Sequence, residues 1–254
     1  MTALPTALSM FDLSDRVALV TGASTGLGER FARVLHAAGA TVVITARRAD
    51  RLRELGSELG ADWIEADLAT DTGRVSVVNR VAEQHATLDI LVNNAGACDG
   101  GPLEEQSIDD IRSVVELDLI AVIDMCRLAA PLLFASEHSS VINVSSIFGL
   151  IASRSAMAGY NASKGGVTNF TRHLAAQWGG RGVRVNALAP GYFPTELTGG
   201  LTDEGLVHTI GDRTLLGRAP LATELDGALL YLASDASSYT TGHTLTVDGG
   251  WTAA

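Results

Sequence analysis

Short runs of apolar and β-branched residues recur along the chain, separated by longer segments with helical spacing. The runs are VALVT (17–21), TVVIT (41–45), DWIEA (62–66), DILVN (89–93), SVINVS (140–145), VRVNAL (183–188) and HTLTV (243–247). Most of them are nearly continuous apolar stretches, which is typical of strands buried on both faces. Repeated strand–helix–strand units predict parallel strands joined by right-handed crossovers.

The segments between the runs predict helices that pack on a sheet. In residues 29–40, Phe31, Val34, Leu35 and Ala38 fall on one helical face, and Gly39 is a stop signal. The spacing of apolar residues predicts two long helices, over 108–134 and 157–178. No linker divides the chain, so we expect one domain over 11–254 after an N-terminal extension at 1–10.

The stretch 191–216 is less regular than the rest of the chain. It follows a predicted strand at the carboxyl edge, where open α/β sheets bind ligands. Loops of this length in compact domains are usually functional. We interpret the stretch as a mobile substrate lid, with a surface excursion as the alternative.

Composition narrows the classes of partner. The chain has 254 residues, is 46% hydrophobic, and carries a net charge of −11 from 18 basic and 29 acidic residues. This acidic balance argues against nucleic-acid binding. Cys98 and Cys126 give no disulfide framework and suggest a reducing cytoplasm. The histidines are scattered, so we expect no metal site. The N-terminal residues lack the pattern of a signal peptide, and no apolar run reaches about 18 residues, so we expect no membrane segment.

A glycine-rich turn follows the first predicted strand. Gly22, Gly26 and Gly28 permit a tight turn into a helix and close approach of the backbone to a pyrophosphate, while the helix N-terminus offers N–H groups. A glycine triplet alone is weak evidence. Its position between the first strand and the first helix is the context that dinucleotide binding requires.

The end of the second predicted strand carries arginines rather than a carboxylate. Ala46 is followed by Arg47 and Arg48. A carboxylate here would bind ribose hydroxyls, whereas arginine accepts a 2′-phosphate. We therefore expect NADP(H) to be favoured over NAD(H). The alternative is that both arginines flank a solvated helix start, where Asp50 neutralises one of them.

Tyr160 and Lys164 lie four positions apart in GYNASKGG (159–166). The plain interpretation is two long side chains on a helix surface. The chemical interpretation is an acid–base pair, because the lysine charge, one turn away on the same face, favours the phenolate. The spacing alone does not decide between them.

Seven motifs in order carry a family resemblance: TGASTGLG (21–28), DL (67–68), NNAG (93–96), NVSS (143–146), YNASK (160–164), RVNALAPG (184–191) and VDGGW (247–251). The sequence resembles the classical short-chain dehydrogenases/reductases over about residues 11–251. The resemblance implies an α/β single-domain doubly wound Rossmann-like fold with a seven-stranded parallel sheet. It also implies a nicotinamide cofactor, hydride transfer between this cofactor and a ketone or secondary alcohol, and a homotetramer or, less often, a homodimer.

The resemblance also assigns roles to individual residues. For the cofactor it implies Gly22, Ser24, Gly26, Leu27, Gly28, Asp67, Leu68, Asn94, Ala95, Gly96, Tyr160, Lys164, Pro190, Gly191, Phe193 and Thr195, to which we add Arg47. Ser146 polarises the substrate oxygen, Tyr160 passes the proton, and Lys164 binds the nicotinamide ribose. Ser145 is rejected because the family's serine is the second of the pair, and Asn93 braces its strand.

The sequence departs from the family pattern at Asp118, where an asparagine usually supports a proton relay through water to the lysine. An aspartate at this position pairs with Lys164 through water or alters the pH optimum. The expected substrate mouth is mainly apolar, with Arg154 as an anion contact or a solvent-facing charge. Its members are Ile147, Phe148, Ile151, Arg154, Met157 and Tyr192.

Three functions fit these features. The first is an NAD(P)-dependent oxidoreductase acting on a ketone or secondary alcohol. The second is a 3-oxoacyl carrier-protein reductase, which the acidic balance disfavours. Enoyl reduction fits less well, because related enoyl reductases place six residues between tyrosine and lysine. The third is a non-catalytic dinucleotide-binding sensor, which would have no need of Ser146, Tyr160 and Lys164 together.

Overall fold

Seven parallel strands form one sheet in the computed structural model, which describes residues 7–98, 100–153 and 155–253. The strands are β1 Val17–Thr21, β2 Thr41–Ala46, β3 Asp62–Glu65, β4 Ile90–Asn93, β5 Ser140–Val144, β6 Arg184–Pro190 and β7 Thr244–Val247. Their order is β3-β2-β1-β4-β5-β6-β7. The predicted seven-stranded parallel sheet is therefore confirmed.

Helices cover both faces of this sheet. They are α1 Gly26–Ala37, α2 Ala49–Leu59, α3 Asp71–Gln84, α4 Ile108–Val115, α5 Ala121–Ala135, α6 Ala158–Trp178, α7 Glu204–Arg213 and α8 Asp226–Ala233. Apolar residues of α1, α2 and α8 form one core cluster, and those of α3, α5 and α6 form another. Ala18 and Val20 of β1 belong to the first cluster and Leu19 to the second, so both faces of the strand are buried as predicted.

Strand β1 lies at the point where the strand order reverses. It pairs with β2 on one side and with β4 on the other. The connections leave these neighbouring strands in opposite directions, which opens a crevice at their carboxyl ends. The glycine turn (22–28) and the NNAG segment (93–96) both begin at this crevice.

The predicted helix over 108–134 is interrupted. Helix α4 ends at Val115, and a π-helix, Glu116–Ile120, leads into α5. Close packing accompanies this change, because a Cβ at Gly166 of α6 would lie 3.0 Å from the side chain of Leu119. Gly166 thus allows α6 to approach the π-helix within the same chain, a contact that helical periodicity does not reveal.

The stretch 191–216 contains regular structure. A short 3₁₀ helix, Glu196–Leu201, precedes α7, and the Asp203 carboxylate caps α7 by accepting from the backbone N–H of Gly205 at 2.8 Å. Ile210 of α7 packs in a small apolar cluster with Ile147 and Trp251. Mobility of this lid stays a prediction.

The described residues contain no cluster of three or more His, Cys, Asp or Glu side chains suited to a metal ion. None of the helices in the described ranges combines the length and the apolar composition needed to cross a membrane.

Burial raises the pKa of the Cys126 thiol to about 12, so this side chain stays protonated at neutral pH.

Candidate active site

A cavity of about 450 Å³ opens at the carboxyl edge of the sheet. Among its lining residues are these predicted ones: Gly22, Ser24, Gly26, Leu27, Arg47, Asp67, Leu68, Asn94, Ala95, Gly96, Asp118, Ser146, Tyr160, Lys164, Pro190, Gly191, Phe193 and Thr195. Gly28 is absent from the lining and is buried in α1. The fold therefore brings residues from eight separate segments of the chain to one site.

The turn between β1 and α1 leaves room for an anion. Gly22 has a φ of +67°, and a Cβ there would lie 2.8 Å from the Cα of Ala95. A Cβ at Gly28 would overlap the Gly22 carbonyl oxygen. No side chain caps the N-terminus of α1, where backbone N–H groups bind anions well. The cradle fits the pyrophosphate of a dinucleotide.

Asn94 fastens the end of β4 to this turn. Its Nδ2 donates to the carbonyl oxygen of Thr21 at 2.9 Å, and the Thr21 hydroxyl accepts from the backbone N–H groups of Asn94 and Ala95. The neighbouring Asn93 is buried and donates to Asn143 Oδ1 at 2.9 Å. One asparagine thus shapes the cavity wall while the other joins β4 to β5.

Two arginines follow β2 beside the cavity, where a carboxylate from the segment after β6 reaches them. Arg47 lines the cavity and is exposed. Arg48 donates to the Ser24 hydroxyl at 3.2 Å and to Glu196 Oε1 at 3.1 Å. Among the described residues, the carboxylate that pairs with Arg48 is therefore Glu196, whereas the alternative interpretation named Asp50. Hydrogen bonding from Arg48 holds the pKa of Glu196 below its usual value.

The two serines at the end of β5 make different contacts. Ser145 donates to the carbonyl oxygen of Lys164 at 3.0 Å and lies 2.8 Å from the Thr168 hydroxyl, so it joins β5 to α6. Ser146 Oγ accepts from the backbone N–H of Phe148 at 3.1 Å. Since that contact uses a lone pair, the Ser146 proton can be donated to a substrate oxygen.

Tyr160, Lys164 and Asp118 form a linked group at the other end of the cavity. Lys164 Nζ lies 5.5 Å from the centroid of the Tyr160 ring. It donates to the Val144 carbonyl oxygen at 3.1 Å and forms an ion pair with Asp118 Oδ2 at 3.1 Å. Asp118 is 0% exposed, and its Oδ1 accepts from the backbone N–H of Ala97 at 2.7 Å. The expected contact through water is thus a direct ion pair.

This ion pair determines the charge of Lys164. Burial alone would lower the pKa of the ammonium group, but the charge of Asp118, the neighbouring Tyr160 and the hydrogen bond to Asp118 together more than offset it. The pKa of Lys164 is therefore raised above its usual value. A positive charge remains beside Tyr160 throughout the neutral pH range.

The π-helix that carries Asp118 is anchored by a buried arginine. Arg74 of α3 donates to Glu116 at 2.9 Å and to Asp124 at 2.7 Å. These carboxylates flank Asp118 on either side. Such π-turns are frequent at functional sites because they change which face of a helix a side chain occupies. Arg74 thereby holds the segment that presents Asp118 to Lys164.

The segment after β6 reaches across the cleft. The Thr198 hydroxyl accepts from the backbone N–H of Thr195 at 2.9 Å and donates to the Phe193 carbonyl oxygen at 2.7 Å. A Cβ at Gly26 would lie 3.4 Å from the Thr195 Cβ. The start of the lid therefore touches the glycine turn.

An apolar cluster lies beside Ser146, because it includes the two residues that follow this serine. It comprises Ile147, Phe148, Ile151, Tyr192, Leu201, Leu206, Ile210, Ala219 and Trp251. Met157, also expected at the mouth, contacts Cys98, with 3.2 Å between the sulfur atoms. Arg154 lies outside the described residues. The mouth thus has an apolar wall that includes α7 and the C-terminal Trp251.

Known proteins match this chain over nearly its whole length. A family model described as enoyl-(acyl carrier protein) reductase matches residues 22–252. The cis-4-hydroxycyclohexanecarboxylate dehydrogenase of Sinomonas cyclohexanicum is 38% identical over 94% of this chain and 98% of its own. The chain belongs to the short-chain dehydrogenase/reductase family. It is one of the NAD(P)-dependent oxidoreductases that interconvert alcohols and carbonyl compounds.

Two further family members are similar. The gluconate 5-dehydrogenase of Gluconobacter oxydans is 38% identical over 96% of this chain and 97% of its own. The crystal structure of a gluconate 5-dehydrogenase from Burkholderia cenocepacia in complex with NADP and tartrate superposes with a TM-score of 0.91. That structure is 36% identical and covers 98% of this chain and all of its own. The predicted family, fold and oxidoreductase class are thereby confirmed.

Several site residues escape sequence reasoning. Glu196 meets Arg48 across the cleft, and Arg213 of α7 lies over the Trp251 ring, with 4.2 Å to its centroid. The first contact joins the lid to the end of β2, and the second joins it to the C-terminus. No local sequence pattern in this short-chain dehydrogenase/reductase predicts either contact. The GGW segment (249–251) is a sequence signal only for an aromatic residue near the site.

Proposed function

We propose that the protein oxidises secondary alcohols and reduces the matching ketones with NADP(H) favoured over NAD(H), and that Tyr160 is the acid/base. One observation carries the proposal. Ser146, Tyr160 and Lys164 line one end of a cavity whose other end carries the glycine turn and Arg47. A hydroxyl donor, a phenol and an ammonium group thus lie next to a cradle for a dinucleotide.

Each of these side chains has a distinct task. Ser146 donates a hydrogen bond to the substrate oxygen, where negative charge develops during reduction. Tyr160 gives a proton to that oxygen in reduction and takes one from the hydroxyl group in oxidation. Lys164 stabilises the phenolate and binds the nicotinamide ribose. Asp118 is a positioning residue, because it acts through Lys164.

The cofactor supplies the hydride acceptor or donor when it is bound. The residues that would hold it are Gly22, Ser24, Gly26 and Leu27 at the pyrophosphate, Asp67, Leu68, Asn94, Ala95 and Gly96 at the adenosine, and Pro190, Gly191, Phe193 and Thr195 at the nicotinamide. Gly28 would contribute indirectly, because its lack of a side chain leaves room for the Gly22 carbonyl oxygen in the turn. In oxidation, the substrate loses a hydride and a proton and becomes a ketone.

Arg47 supports the NADP(H) preference. It lines the adenosine end of the cavity and is exposed, whereas no carboxylate follows β2 directly. Arg48 can add a second donor if it exchanges Glu196 for a phosphate. The gluconate 5-dehydrogenase of Burkholderia cenocepacia holds NADP. Guanidinium groups at this point are suited to a 2′-phosphate.

Small hydroxylated compounds suit the site better than carrier-bound acyl chains. The relatives act on a hydroxycyclohexanecarboxylate and on gluconate, and the Burkholderia cenocepacia structure holds tartrate, a hydroxy acid. A net charge of −11 opposes docking of an acidic carrier protein. The spacing of Tyr160 and Lys164 matches carbonyl reduction rather than enoyl reduction.

We also propose a homotetramer, with a homodimer as the alternative. Exposed apolar side chains on and near α4 support association, among them Leu103, Ile108 and Ile120. Light scattering after size-exclusion chromatography gives the mass directly. A monomer at micromolar concentration would reject the proposal.

The experiment for the catalytic proposal compares wild type with Tyr160→Phe. Steady-state rates are measured on a panel of secondary alcohols and ketones with each cofactor. Wild type should prefer NADP(H), and Tyr160→Phe should lose about 100-fold or more in kcat while its cofactor dissociation constant stays within about twofold. Preference for NADH would reject the cofactor assignment, and near-normal turnover by Tyr160→Phe would reject the acid/base role.

A further inference from the structure

A row of aromatic contacts leads away from the catalytic serine. Phe148, two residues after Ser146, meets Tyr192 edge-on, with 5.8 Å between the ring centroids. Tyr192 in turn lies 5.1 Å from Trp251. Burial raises the pKa of Tyr192, while a hydrogen bond from Ser155 and the charge of Arg213 oppose that rise. The substrate mouth is thus a continuous apolar wall that ends near a cation.

Arg213 is that cation. Its guanidinium carbon lies 4.2 Å from the centroid of the Trp251 ring. The adjacent Asp212 is directed to His208, with 3.4 Å between Oδ2 and Nε2. Within the described ranges, no carboxylate forms an ion pair with Arg213. The ring holds the guanidinium group in place, but its charge lacks an anionic partner from the described chain.

Trp251 provides a second observation at the same place. The side chain is buried, at 6% exposure, and its Nε1–H has no hydrogen-bond acceptor among the described residues. A buried donor without an acceptor costs free energy, so such groups require an explanation. The buried indole N–H lacks an acceptor, the guanidinium group beside it is exposed and carries a positive charge, and one carboxylate can accept hydrogen bonds from both.

We propose that Arg213 and Trp251 bind the carboxylate of a hydroxy acid whose apolar body lies along Phe148 and Tyr192. The proposal deepens the proposed function, on which it rests, by naming the substrate class. The hydroxyl group lies at Ser146 and Tyr160, and the carboxylate lies at the opposite end of the aromatic row. A saturated ring between the two polar groups suits the apolar wall.

Arg213 and Trp251 have different roles in binding the carboxylate. Arg213 supplies charge-assisted hydrogen bonds, and the indole N–H of Trp251 fixes the orientation of one carboxylate oxygen. The N–H is buried in this structure, so binding requires a small displacement of the residues that cover it. Oxidation of such a substrate removes a hydride from the carbinol carbon and a proton from the hydroxyl group. The carboxylate itself is unchanged.

The test uses cis-4-hydroxycyclohexanecarboxylate and its neutral amide, 4-hydroxycyclohexanecarboxamide, with wild type, Arg213→Gln and Arg213→Lys. In Arg213→Gln, the KM for the carboxylate should rise about tenfold or more while kcat changes less than about twofold. The KM for the amide should stay within about twofold, and Arg213→Lys should recover part of the loss. Arg172→Gln removes an exposed charge on α6 and serves as the matched control.

A binding measurement separates this proposal from the proposed function. Cyclohexanecarboxylate has no hydroxyl group to oxidise, so its titration into NADP-loaded enzyme does not require turnover. The dissociation constant should rise about tenfold in Arg213→Gln but not in Arg172→Gln, and NADP binding by each variant reports that it is folded. Equal affinity in wild type and Arg213→Gln would overturn the proposal, as would a loss that appears only in Arg154→Gln. Absence of turnover on every alcohol, with binding as expected, would reject the proposed function instead.

Discussion

Replacing Asp118 by asparagine tests the ion pair at the centre of the site. The side chain keeps its shape and loses its charge. Oδ1 of Asp118 accepts from Ala97, and Oδ2 faces the Lys164 ammonium group, so two donors converge on one carboxylate. An asparagine amide has one oxygen and one NH₂ group. Either orientation therefore places a donor against a donor.

The expected cost is large because both partners are buried. Removing one member of a buried ion pair typically costs about 3–5 kcal/mol. In the variant, Lys164 can avoid being an unpaired buried charge by losing its proton. Deprotonation costs about 1.4 kcal/mol for each unit by which the pH lies below the ordinary lysine pKa near 10.4. The free-energy cost of this deprotonation falls as the pH rises. The deficit of Asp118→Asn against wild type should therefore shrink by up to about 3 kcal/mol between pH 7 and 9.5.

Wild type should behave differently. The pKa of Lys164 is raised in the folded protein, so its contribution to stability is fully present below the unfolded value and is lost only as the pH rises above it. Between pH 7 and 9.5, Lys164 should therefore add no pH dependence to wild-type stability. In the variant, burial is no longer offset, the pKa of Lys164 falls, and kcat should decline at a lower pH than in wild type.

The assay is urea unfolding at fixed protein concentration at pH 7 and 9.5, combined with a pH profile of kcat. Asp109→Asn makes the same chemical change at an exposed position on α4 and controls for the change in net charge. Equal stability of Asp118→Asn and wild type at pH 7 would refute the reasoning. A deficit that is the same at both pH values would show that Lys164 titration is not its source.

Two further predictions concern the cofactor end. Glu196→Gln removes the carboxylate that pairs with Arg48, so the KM for NADPH should fall about two- to fivefold while that for NADH stays constant, as measured by steady-state kinetics; a parallel change for both cofactors would contradict the role of Arg48. Gly28→Ala places a methyl group against the Gly22 carbonyl oxygen, and calorimetry should show NADP binding weakened about tenfold or more. The control Gly227→Ala, where the added Cβ meets nothing within 4 Å, should bind normally.

The sheet could be predicted because each strand carries its own signal. Residues such as Leu19 and Val20 are apolar in succession, which identifies a strand covered on both faces, and the helical segments between such strands determine parallel pairing. The interruption of the helix at Glu116 could not be predicted in this way. One extra residue in a helical turn barely changes the pattern of apolar positions, and the packing that accompanies it involves α6.

The cofactor end was more predictable than the substrate end for a similar reason. Gly22 and Asn94 lie in short motifs at strand ends, and strand ends meet at one edge of a sheet. Arg213 and Glu196 lie on the segment between β6 and β7, and the partner of each is distant in the sequence. Their contacts depend on how this segment folds back over the cleft, which is a tertiary property.

Gly166, the last of the three glycines in GYNASKGG, lies close to the segment that carries Asp118. Lys164 and Gly166 lie on the same helix, and Gly166 faces Leu119, the residue next to Asp118. A Cβ at 166 would lie 3.0 Å from both Cδ atoms of Leu119, so the Leu119 side chain would have to shift. The close approach of α6 to the π-helix accompanies the 3.1 Å ion pair between Lys164 and Asp118, and Gly166 contributes to it through packing rather than chemistry.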